Sequence, residues 1–446
     1  MALPSRRPNR IVAALALLAS LAGATPPADA FCGFYVGKAD TKLFNTASQV
    51  ILVRDGERMV VGMRNDFQGE LTDFALVVPV PVVLQKEQIH IGDPKIFERI
   101  DAYSAPRLAE YFDGNPCAVP MALAAGATGA PAEASAKVAA RRAAALGVSI
   151  EARYTVGEYD IVILSATQSN GLEIWLRQNG YRVPANTSRA LQPYVRQGLK
   201  FFVAKVNLAE QAKTGFSYLR PLQFAFDSKR FMLPVRLGML NASGPQDLVV
   251  YVLTRNGRVE TTNYRTVRLP ANVELPPYVR GEFGQVYKAL FETQAKREDY
   301  RVVWTEYFWD MGWCDPCATE PLSPEELRSA GVFWLDGETQ PSGAAQPVML
   351  TRLHLRYTPD TLPEDLMFQE TQDRQNFQAR YVLRHPWQGD ANACPAAKRY
   401  FADLAQRQVR EAQTLASLTG WNVAEISARM NLPTAATRQW WERLWR

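Results

Sequence analysis

The sequence predicts an α+β protein in which β-structure dominates, with Ig-like or sandwich-like antiparallel sheets, short helices and a C-terminal helical subdomain. Two dipeptides that are typical of tight hairpin turns, Asp55-Gly56 and Asn256-Gly257, each separate a pair of apolar runs of strand length. From Ala397 onward the apolar residues recur with a helical period instead. Hydrophobic residues make up 47% of the chain, which is enough to build a large core.

The first folded region is predicted to be a hairpin followed by a third strand. Residues 49–54 and 57–65 flank the first of the two dipeptides, where a type I′ turn requires positive φ at both positions. Residues 74–80 form the third strand, because they are rich in Val and Leu. Pro79 and Pro81 place it at a sheet edge or a strand end, since proline cannot donate to a ladder.

Strands and short helices are expected to alternate along the rest of the chain. The strands are expected at residues 159–164, 201–208, 231–240, 248–254, 258–264 and 300–309. The helices are expected at residues 171–178, 190–196, 283–295, 423–430 and 437–445. A further helix after Ala397 would bury the face that carries Tyr400, Leu404, Ala412, Leu415 and Leu418.

These patterns divide the chain into six parts. They are a signal peptide (1–30), an N-terminal β-rich part (31–117), an Ala-rich linker or insertion (118–146), a second β-rich part (147–335), an extended segment with strands (336–397) and the helical subdomain (398–446). A faint echo relates residues 62–65 to residues 238–241, each followed by a polar stretch and an apolar strand. Duplication of one hairpin unit and chance similarity both account for it.

The N-terminus has the three parts of a signal peptide. Arg6, Arg7 and Arg10 supply the positive charge, and residues 11–22 form an apolar run that is too short to span a bilayer. Ala28-Asp29-Ala30 is a cleavage site that leaves Phe31 first. A buried N-terminal helix is the alternative. We therefore expect a periplasmic or extracellular protein, with the choice between general secretory and twin-arginine export left open.

Charge and composition favour no particular partner. Removing residues 1–30 takes away three arginines and one aspartate, which lowers the formal net charge from +5 to +3. That balance implies neither nucleic acid nor an acidic partner. The three histidines, His90, His354 and His385, are far apart in sequence, so no metal site is predicted. No cofactor motif is present, and no carboxylate pair stands out as catalytic.

Five cysteines are candidates for disulfides, namely Cys32, Cys117, Cys314, Cys317 and Cys394. Because five is odd, at least one is free or pairs between chains. Cys32 with Cys117 is the preferred first bridge. Cys314 could pair with either Cys317 or Cys394, and the sequence does not decide between them.

The pair Cys314-x-x-Cys317 also fits a thiol–disulfide oxidoreductase. That chemistry needs the first cysteine at a helix N-terminus, where its pKa is lowered. Here the next helix is predicted to start later, with Ser323 as N-cap, Pro324 at its first position and Glu326 completing a capping box. The pair therefore lies in a loop, which favours a structural role.

The C-terminal end carries two further patterns. Val423, Ile426, Met430 and Leu432 have the spacing of a helix-turn-helix, with Asn431 at the turn and Arg438 on the second helix. A packed helical hairpin is favoured, because an exported protein does not meet a promoter. Trp440, Trp441 and Trp445 lie among arginines and suit either a membrane interface or docking onto the core, and docking is favoured.

Several short motifs together resemble one bacterial family. They are residues 31–34, 73–81, 105–107, 115–117, 158–160, 175–176, 179–181, 314–318 and 321–323. Between Phe31 and about Gly331 the chain resembles the family called domain of unknown function 2330 (DUF2330), whose members are exported and have no assigned activity. The resemblance implies no catalytic residues. With the other observations it predicts a non-enzymatic structural or binding protein that is stabilised by disulfides.

Overall fold

The structure is a computed structural model that describes residues 34–37, 44–68, 74–118, 148–181, 183–214, 219–241, 244–313, 320–335 and 346–432. The expected signal peptide, nearly all of the Ala-rich segment and the final expected helix lie outside these residues. The six-part division of the chain stays a prediction.

Within that part of the chain, strands and helices are mixed and strands are prominent. The strands are β1 (Phe34–Gly37), β2 (Phe44–Asp55), β3 (Arg58–Gln68), β4 (Phe74–Val80), β5 (Ile89–Ile91), β6 (Arg107–Phe112), β7 (Val148–Val156), β8 (Tyr159–Ala166), β9 (Lys200–Val206), β10 (Leu222–Asp227), β11 (Met232–Leu233), β12 (Gln246–Thr254), β13 (Val259–Thr261), β14 (Arg265–Arg268), β15 (Val273–Leu275), β16 (Val302–Asp310), β17 (Met349–Tyr357), β18 (Leu366–Glu370), β19 (Phe377–Gln378) and β20 (Arg380–His385). The α-helices are α1 (Pro94–Ser104), α2 (Ser169–Gln178), α3 (Thr187–Arg196), α4 (Leu208–Thr214), α5 (Phe283–Arg297), α6 (Pro324–Ser329), α7 (Pro395–Thr419) and α8 (Val423–Arg429).

The strands form four sheets. The largest has the order β14-β16-β17-β12-β2-β3-β10-β5, with β19 also paired to β16, and the second has the order β1-β4-β9-β8-β7. Two three-stranded sheets have the orders β11-β18-β13 and β15-β20-β6. Most neighbours are antiparallel, as expected, but β12–β2, β14–β16, β15–β20 and β20–β6 are parallel.

The two larger sheets pack face to face, which confirms the sandwich-like architecture. Alternate residues of β2 and β4, among them Val50, Leu52, Leu76 and Val78, meet in one core between them. Helices cover the outer faces. α2 and α3 lie on the five-stranded sheet, and α1, α5 and α6 lie on the nine-stranded sheet. The fold is therefore α+β with four layers.

Local signals predicted many elements correctly. The first hairpin forms between β2 and β3, but Asp55 pairs with Arg58, so the turn is Gly56-Glu57. Of the residues in this turn only Gly56 has positive φ, 61°, which is typical of type II′ rather than the expected type I′. β4 ends at Val80, as its prolines predicted. α6 begins at Pro324 with the expected capping box between Ser323 and Glu326.

Three expectations for strands were wrong. Residues 231–240 form a strand only at β11 and then a 3-10 helix, Arg236–Asn241, so the echo with residues 62–65, which lie in β3, is not structural. Residue 208 starts α4 instead of ending β9. Asn256-Gly257 does not close a hairpin, because β13 pairs with β18. A Cβ on Gly257 would lie 2.1 Å from the carbonyl oxygen of Thr371, so this glycine permits a close backbone approach.

The C-terminal helices pack onto the rest of the molecule. α7 buries Leu404, Ala412, Leu415 and Leu418 along the expected face, whereas Tyr400 is half-buried. Ala412, Leu415 and Leu418 join a core with α5, β15 and β20. α7 ends at Gly420, whose positive φ of 72° terminates the helix. α8 follows as expected, and Asn431 lies at the turn with φ of 52°.

Candidate functional site

A row of charged side chains runs along the outer face of the nine-stranded sheet. In β17, Arg352, His354 and Arg356 alternate with Leu353 and Leu355, which point into the sandwich core. The charged face lies under α1 and α5 instead of facing water. Because this face is buried, each charged side chain on it needs a partner of opposite charge to offset the cost of leaving water.

Glu306 enters this row because of a β-bulge. In the pairing of β16 with β17, Thr305 lies opposite Leu353 and Tyr307 lies opposite Arg352, so Glu306 has no opposite residue. A bulge places an extra residue in one strand and redirects its side chain. The Glu306 side chain is thereby directed towards the charged face, where it is fully buried.

Three donors surround the Glu306 carboxylate. Arg352 Nε donates to Oε2 at 2.6 Å, and His354 Nδ1 lies 2.6 Å from Oε1. The hydroxyl of Tyr287, from α5, also donates to Oε1. Burial by itself raises the pKa of Glu306, but the charges of His354 and Arg352 outweigh burial and bring that pKa down to about 2. Glu306 therefore carries a stable negative charge.

One arm of the network ties α1 to the sheet. Arg352 Nη1 donates to Asp101 Oδ1 at 2.7 Å, and the guanidinium lies over the ring of Tyr251. The Tyr251 hydroxyl donates to the same Asp101 oxygen at 2.6 Å and accepts from Gln49 Nε2 at 2.9 Å. Burial raises the pKa of Tyr251, so its hydroxyl stays protonated as a donor.

The other arm reaches the surface beside α5. His354 Nε2 lies 3.8 Å from Asp247 Oδ1, and Arg356 Nε donates to that oxygen at 2.7 Å. Arg356 also pairs with Glu292. The Phe291 ring stacks on the His354 ring with centroids 3.6 Å apart and planes 5° apart. Nδ1 and one face of the imidazole are thus in contact with protein groups, whereas Nε2 is too far from the Asp247 carboxylate for a hydrogen bond.

The network joins α1 and α5 to the nine-stranded sheet. His354 Nδ1 lies against the Glu306 carboxylate, and Nε2 lies 3.8 Å from Asp247 Oδ1. Glu306 is buried and bonded on both oxygens. The charged groups of this network pair with one another, which is typical of a cluster with a structural role.

A disulfide joins the segment that follows β6 to the N-cap residue of α7. Cys117 is bonded to Cys394, 277 positions away along the chain. The expected bridge from Cys117 to Cys32 is therefore wrong, and so is a bridge from Cys314 to Cys394. Local spacing could not reveal this pairing, because α7 is brought beside β6 only by the packing of α7 on the sheet β15-β20-β6.

Salt bridges and hydrogen bonds reinforce this junction. Asp113 Oδ2 accepts from the Tyr400 hydroxyl at 2.7 Å and from Arg407 Nη2 at 2.8 Å. Burial would raise the pKa of Asp113, but its bonds to Arg407 and Tyr400 lower it. Glu411, one turn beyond Arg407, is also buried. The disulfide and the Asp113 contacts together hold the N-terminal half of α7.

A small apolar cleft, with a cavity volume of about 30 Å³, opens between the two large sheets. Its wall includes Met63, Val78, Phe224 and Met232, and Arg230 is one of its few polar residues. Specific small-molecule sites combine an apolar wall with several placed polar groups. Arg230 is already hydrogen-bonded to Gln197, so the cleft does not define a substrate class.

Of the other residues that the sequence analysis named, the structure describes only some. Cys32, Cys314 and Cys317 lie outside the described residues, as do Trp440, Trp441 and Trp445. His385 lies 2.7 Å from Glu110, and His90 is exposed in β5. In the described part of the chain, no group of three or more His, Cys, Asp or Glu side chains could hold a metal ion.

Sequence reasoning missed the Glu306 network. The available signal was the alternation Arg352-x-His354-x-Arg356 in an otherwise apolar run, together with one acid, Glu306, inside a long aromatic strand. Alternation of this kind is typical of a strand with one face in water. Only the helices packed above it show that the face is buried.

Fold and site together define an α+β sandwich protein with a buried ionic network and a long-range disulfide. Residues 26–369 match the model of the family described as uncharacterized protein conserved in bacteria (DUF2330), and the chain belongs to this family. The match extends beyond the residues that carried the resemblance, as far as β18. No curated protein and no solved structure matches the chain.

No helix in the described ranges has both the length and the apolar character needed to span a bilayer.

Proposed function

We propose that this protein is exported and acts in the periplasm or at the cell surface as a non-enzymatic structural or binding protein. The observation that carries the proposal is the Cys117–Cys394 disulfide. Disulfides persist in oxidising compartments and are rare in the cytosol. The signal-peptide features of residues 1–30 agree with this compartment.

A non-enzymatic role is supported by how the buried charges are used. Arg352 Nε and His354 Nδ1 are both engaged by the Glu306 carboxylate, and Arg352 also binds Asp101 of α1. Such an arrangement supports the role of a rigid scaffold whose surface binds other molecules.

Fractionation of cells that produce the full chain tests export. We expect the protein in the periplasm or medium, with Phe31 as its first residue by mass spectrometry. Leu17→Arg should retain it in the cytoplasm, because a charge interrupts the apolar run. Wild-type protein that stays in the cytoplasm with residues 1–30 attached contradicts the proposal.

Thiol trapping tests the disulfide. Alkylation before and after reduction, followed by peptide mapping, should link Cys117 to Cys394 in protein from the exported fraction. Free thiols at both positions would remove the main support for an oxidising compartment.

A thiol–disulfide oxidoreductase that uses Cys314 and Cys317 is the alternative. The late start of α6, at Pro324, argues against it, since a reactive cysteine needs a helix N-terminus. A reduction potential of that pair well below about −300 mV marks a structural bridge, whereas about −120 to −230 mV marks a redox enzyme. Cys314→Ser is the control, because it should abolish a trapped mixed disulfide.

Association with a membrane surface through residues 438–446 is a weaker alternative. Trp440, Trp441 and Trp445 with their neighbouring arginines support it. Deletion of residues 438–446 should release the protein from vesicles of anionic lipid if this role holds. Equal partitioning of the two proteins would reject it.

A further inference from the structure

The Cys117–Cys394 disulfide is open to solvent at one sulfur and lies at a helix N-terminus with the other. Cys117 is exposed in the segment that follows β6, and Cys394 is half-buried as the N-cap residue of α7. α7 has 25 residues, so its N-terminus carries the partial positive charge of a full helix dipole. A thiolate is stabilised there, which makes this sulfur a good leaving group in exchange with another thiol. Exposed disulfides are also the ones that thiols reduce most readily.

The surroundings of the two sulfurs differ in the donors that they offer to an anion. The Cys394 side chain accepts no hydrogen bond from the first turn of α7, which the structure describes in full. After cleavage, a thiolate at Cys394 would face the free N–H groups of that turn, as an anion does at a helix N-terminus. Cys117 instead follows a turn at Asn115, whose Oδ1 accepts from the Cys117 N–H at 2.9 Å. Cleavage that leaves the negative charge on Cys394 is therefore favoured.

The N-terminal half of α7, residues 395–410, is packed differently from its C-terminal half. The core shared with α5 includes residues of α7 from Ala412 onward, and none of residues 395–410, all of which the structure describes. Ala397 and Leu404 are the two buried apolar residues of that half. Because so little apolar surface is buried there, attachment of this half depends strongly on polar contacts and on the disulfide.

Those polar contacts lead to the same segment as the disulfide. The Tyr400 hydroxyl and Arg407 Nη2 both donate to Asp113 Oδ2, at 2.7 and 2.8 Å. Asp113 directly follows β6 and precedes Cys117 in the same short segment. One segment thus carries both the covalent and the ionic attachment of this half. Cleavage of the disulfide frees the segment to move, and the hydrogen bonds at Asp113 then lose the geometry that they need.

We propose that the Cys117–Cys394 disulfide is a redox switch, which an external dithiol reduces in the folded protein. Reduction then separates the N-terminal half of α7 from the segments that follow β6 and β20, while the C-terminal half stays packed against α5. The proposal rests on the proposed function, because the bridge forms in the oxidising compartment to which export delivers the chain.

The exchange takes place in two steps. A thiolate of the dithiol attacks Sγ of Cys117 and forms a bond to it, and the bond to Cys394 breaks, so that Cys394 leaves as a thiolate with the electron pair. The second thiol of the dithiol then attacks the reagent sulfur of this mixed disulfide and releases Cys117. The protein disulfide gains two electrons and two protons and becomes two thiols, and the dithiol becomes a disulfide.

Reaction with reduced glutathione, a monothiol, tests the direction of attack. The purified, oxidised mature protein is treated without denaturant, quenched early in acid and mapped by mass spectrometry. Glutathione is expected on Cys117, with a free thiol at Cys394. Glutathione found mainly on Cys394 overturns the proposal, and so does a disulfide that no thiol reduces until the protein is unfolded.

Hydrogen exchange followed by mass spectrometry tests the structural consequence. Reduction by dithiothreitol should speed amide exchange in residues 397–408 by at least about tenfold, because the constraint that a disulfide supplies corresponds to more than this factor. Peptides from residues 412–419 should stay protected on the same timescale, since their core remains folded. Reoxidation should restore slow exchange in residues 397–408.

Cys117→Ser is the matched variant, because it removes the bridge and keeps Cys394 as N-cap. It should show fast exchange in residues 397–408 without any reductant, and dithiothreitol should then change nothing further. That control separates this bridge from the other cysteines of the chain. Equal exchange in oxidised and reduced wild type overturns the proposal, as does simultaneous loss of protection in both halves of α7. Because these tests use purified protein, their failure leaves the fractionation result, and with it the proposed export, standing.

Discussion

Glu306 and Glu411 are both buried glutamates at a junction between helix and sheet, but their carboxylates have different partners. Glu306 accepts from Arg352 and Tyr287 and lies against His354. Glu411 has one ion-pair partner, Arg407, whose Nε lies 3.3 Å from an oxygen that has no hydrogen bond.

The pKa values of the two carboxyls move in opposite directions. Burial raises the pKa of Glu411, and Glu274 and Asp113 add to this, while Arg407 and Arg384 oppose it; its pKa is about 7. At Glu306 the positive neighbours outweigh burial, and the pKa is about 2. Burial therefore does not decide whether a carboxyl is charged. The number and sign of its neighbours decide it.

The largest expected effect is loss of the Glu306 charge. Glu306→Gln should lower the free energy of unfolding by about 3–5 kcal/mol, because it leaves the Arg352 charge buried beside His354 without a buried counter-charge. Urea unfolding at neutral pH measures this. Glu411→Gln is the matched control and should not destabilise the protein, because the raised pKa of Glu411 shows that the fold favours an uncharged group there. An equal loss of unfolding free energy in both variants would show that the two carboxyls do not differ in charge state.

The effect of Glu306 should also depend on pH. Its pKa is lower in the folded protein than its usual value near 4.5, so its stabilisation is present above pH 4.5 and is lost as pH falls towards 2. The difference in unfolding free energy between wild type and Glu306→Gln should shrink over that range. A difference that is constant with pH would show that charge is not its cause.

Next in size is the disulfide at the start of α7, the helix that carries Glu411. Cys394→Ser should lower the free energy of unfolding by about 2–5 kcal/mol, because it releases a constraint between distant residues. Thermal unfolding with and without reductant measures it. The variant should be insensitive to reductant, whereas wild type should lose a similar amount when reduced. Ser417→Ala, at the other end of α7, serves as the control.

Glu411 should make stability fall as pH rises. Its pKa in the folded protein, about 7, lies above the usual value near 4.5, so the folded state holds a proton that the unfolded state has lost between these values. Wild type should lose up to about 3 kcal/mol relative to Glu411→Gln between pH 4.5 and 7. Parallel stability curves for the two proteins would rule out a raised pKa at this site.

The smallest effect should come from a single hydrogen bond at the same junction. Tyr400→Phe removes the hydroxyl that donates to Asp113, but Arg407 still neutralises this carboxylate. We expect a loss of about 1–2 kcal/mol in unfolding free energy. Tyr287→Phe should cost more, since the Tyr287 hydroxyl donates to the fully buried Glu306 carboxylate. The reverse order would show that the α7 junction is the more tightly coupled of the two.

Elements that depend on local signals could be predicted, and those that depend on distant partners could not. The β2–β3 hairpin, the end of β4 and the capping box of α6 each follow from a few adjacent residues. The strand expected at residues 231–240 failed, because an apolar run has no period that separates a strand from a tight helix.

The sequence by itself determined the α+β class, the family, the main hairpin and the buried face of α7, because hydrophobic period, turn residues and caps act over a few positions. Only the tertiary structure decided that Cys117 meets Cys394, that β12 lies parallel to β2, and that Glu306 meets Arg352 and His354 under α5. Each of these pairs joins residues far apart in the chain. These contacts depend on which faces of the sheets and helices pack together, and no local sequence pattern predicts that packing.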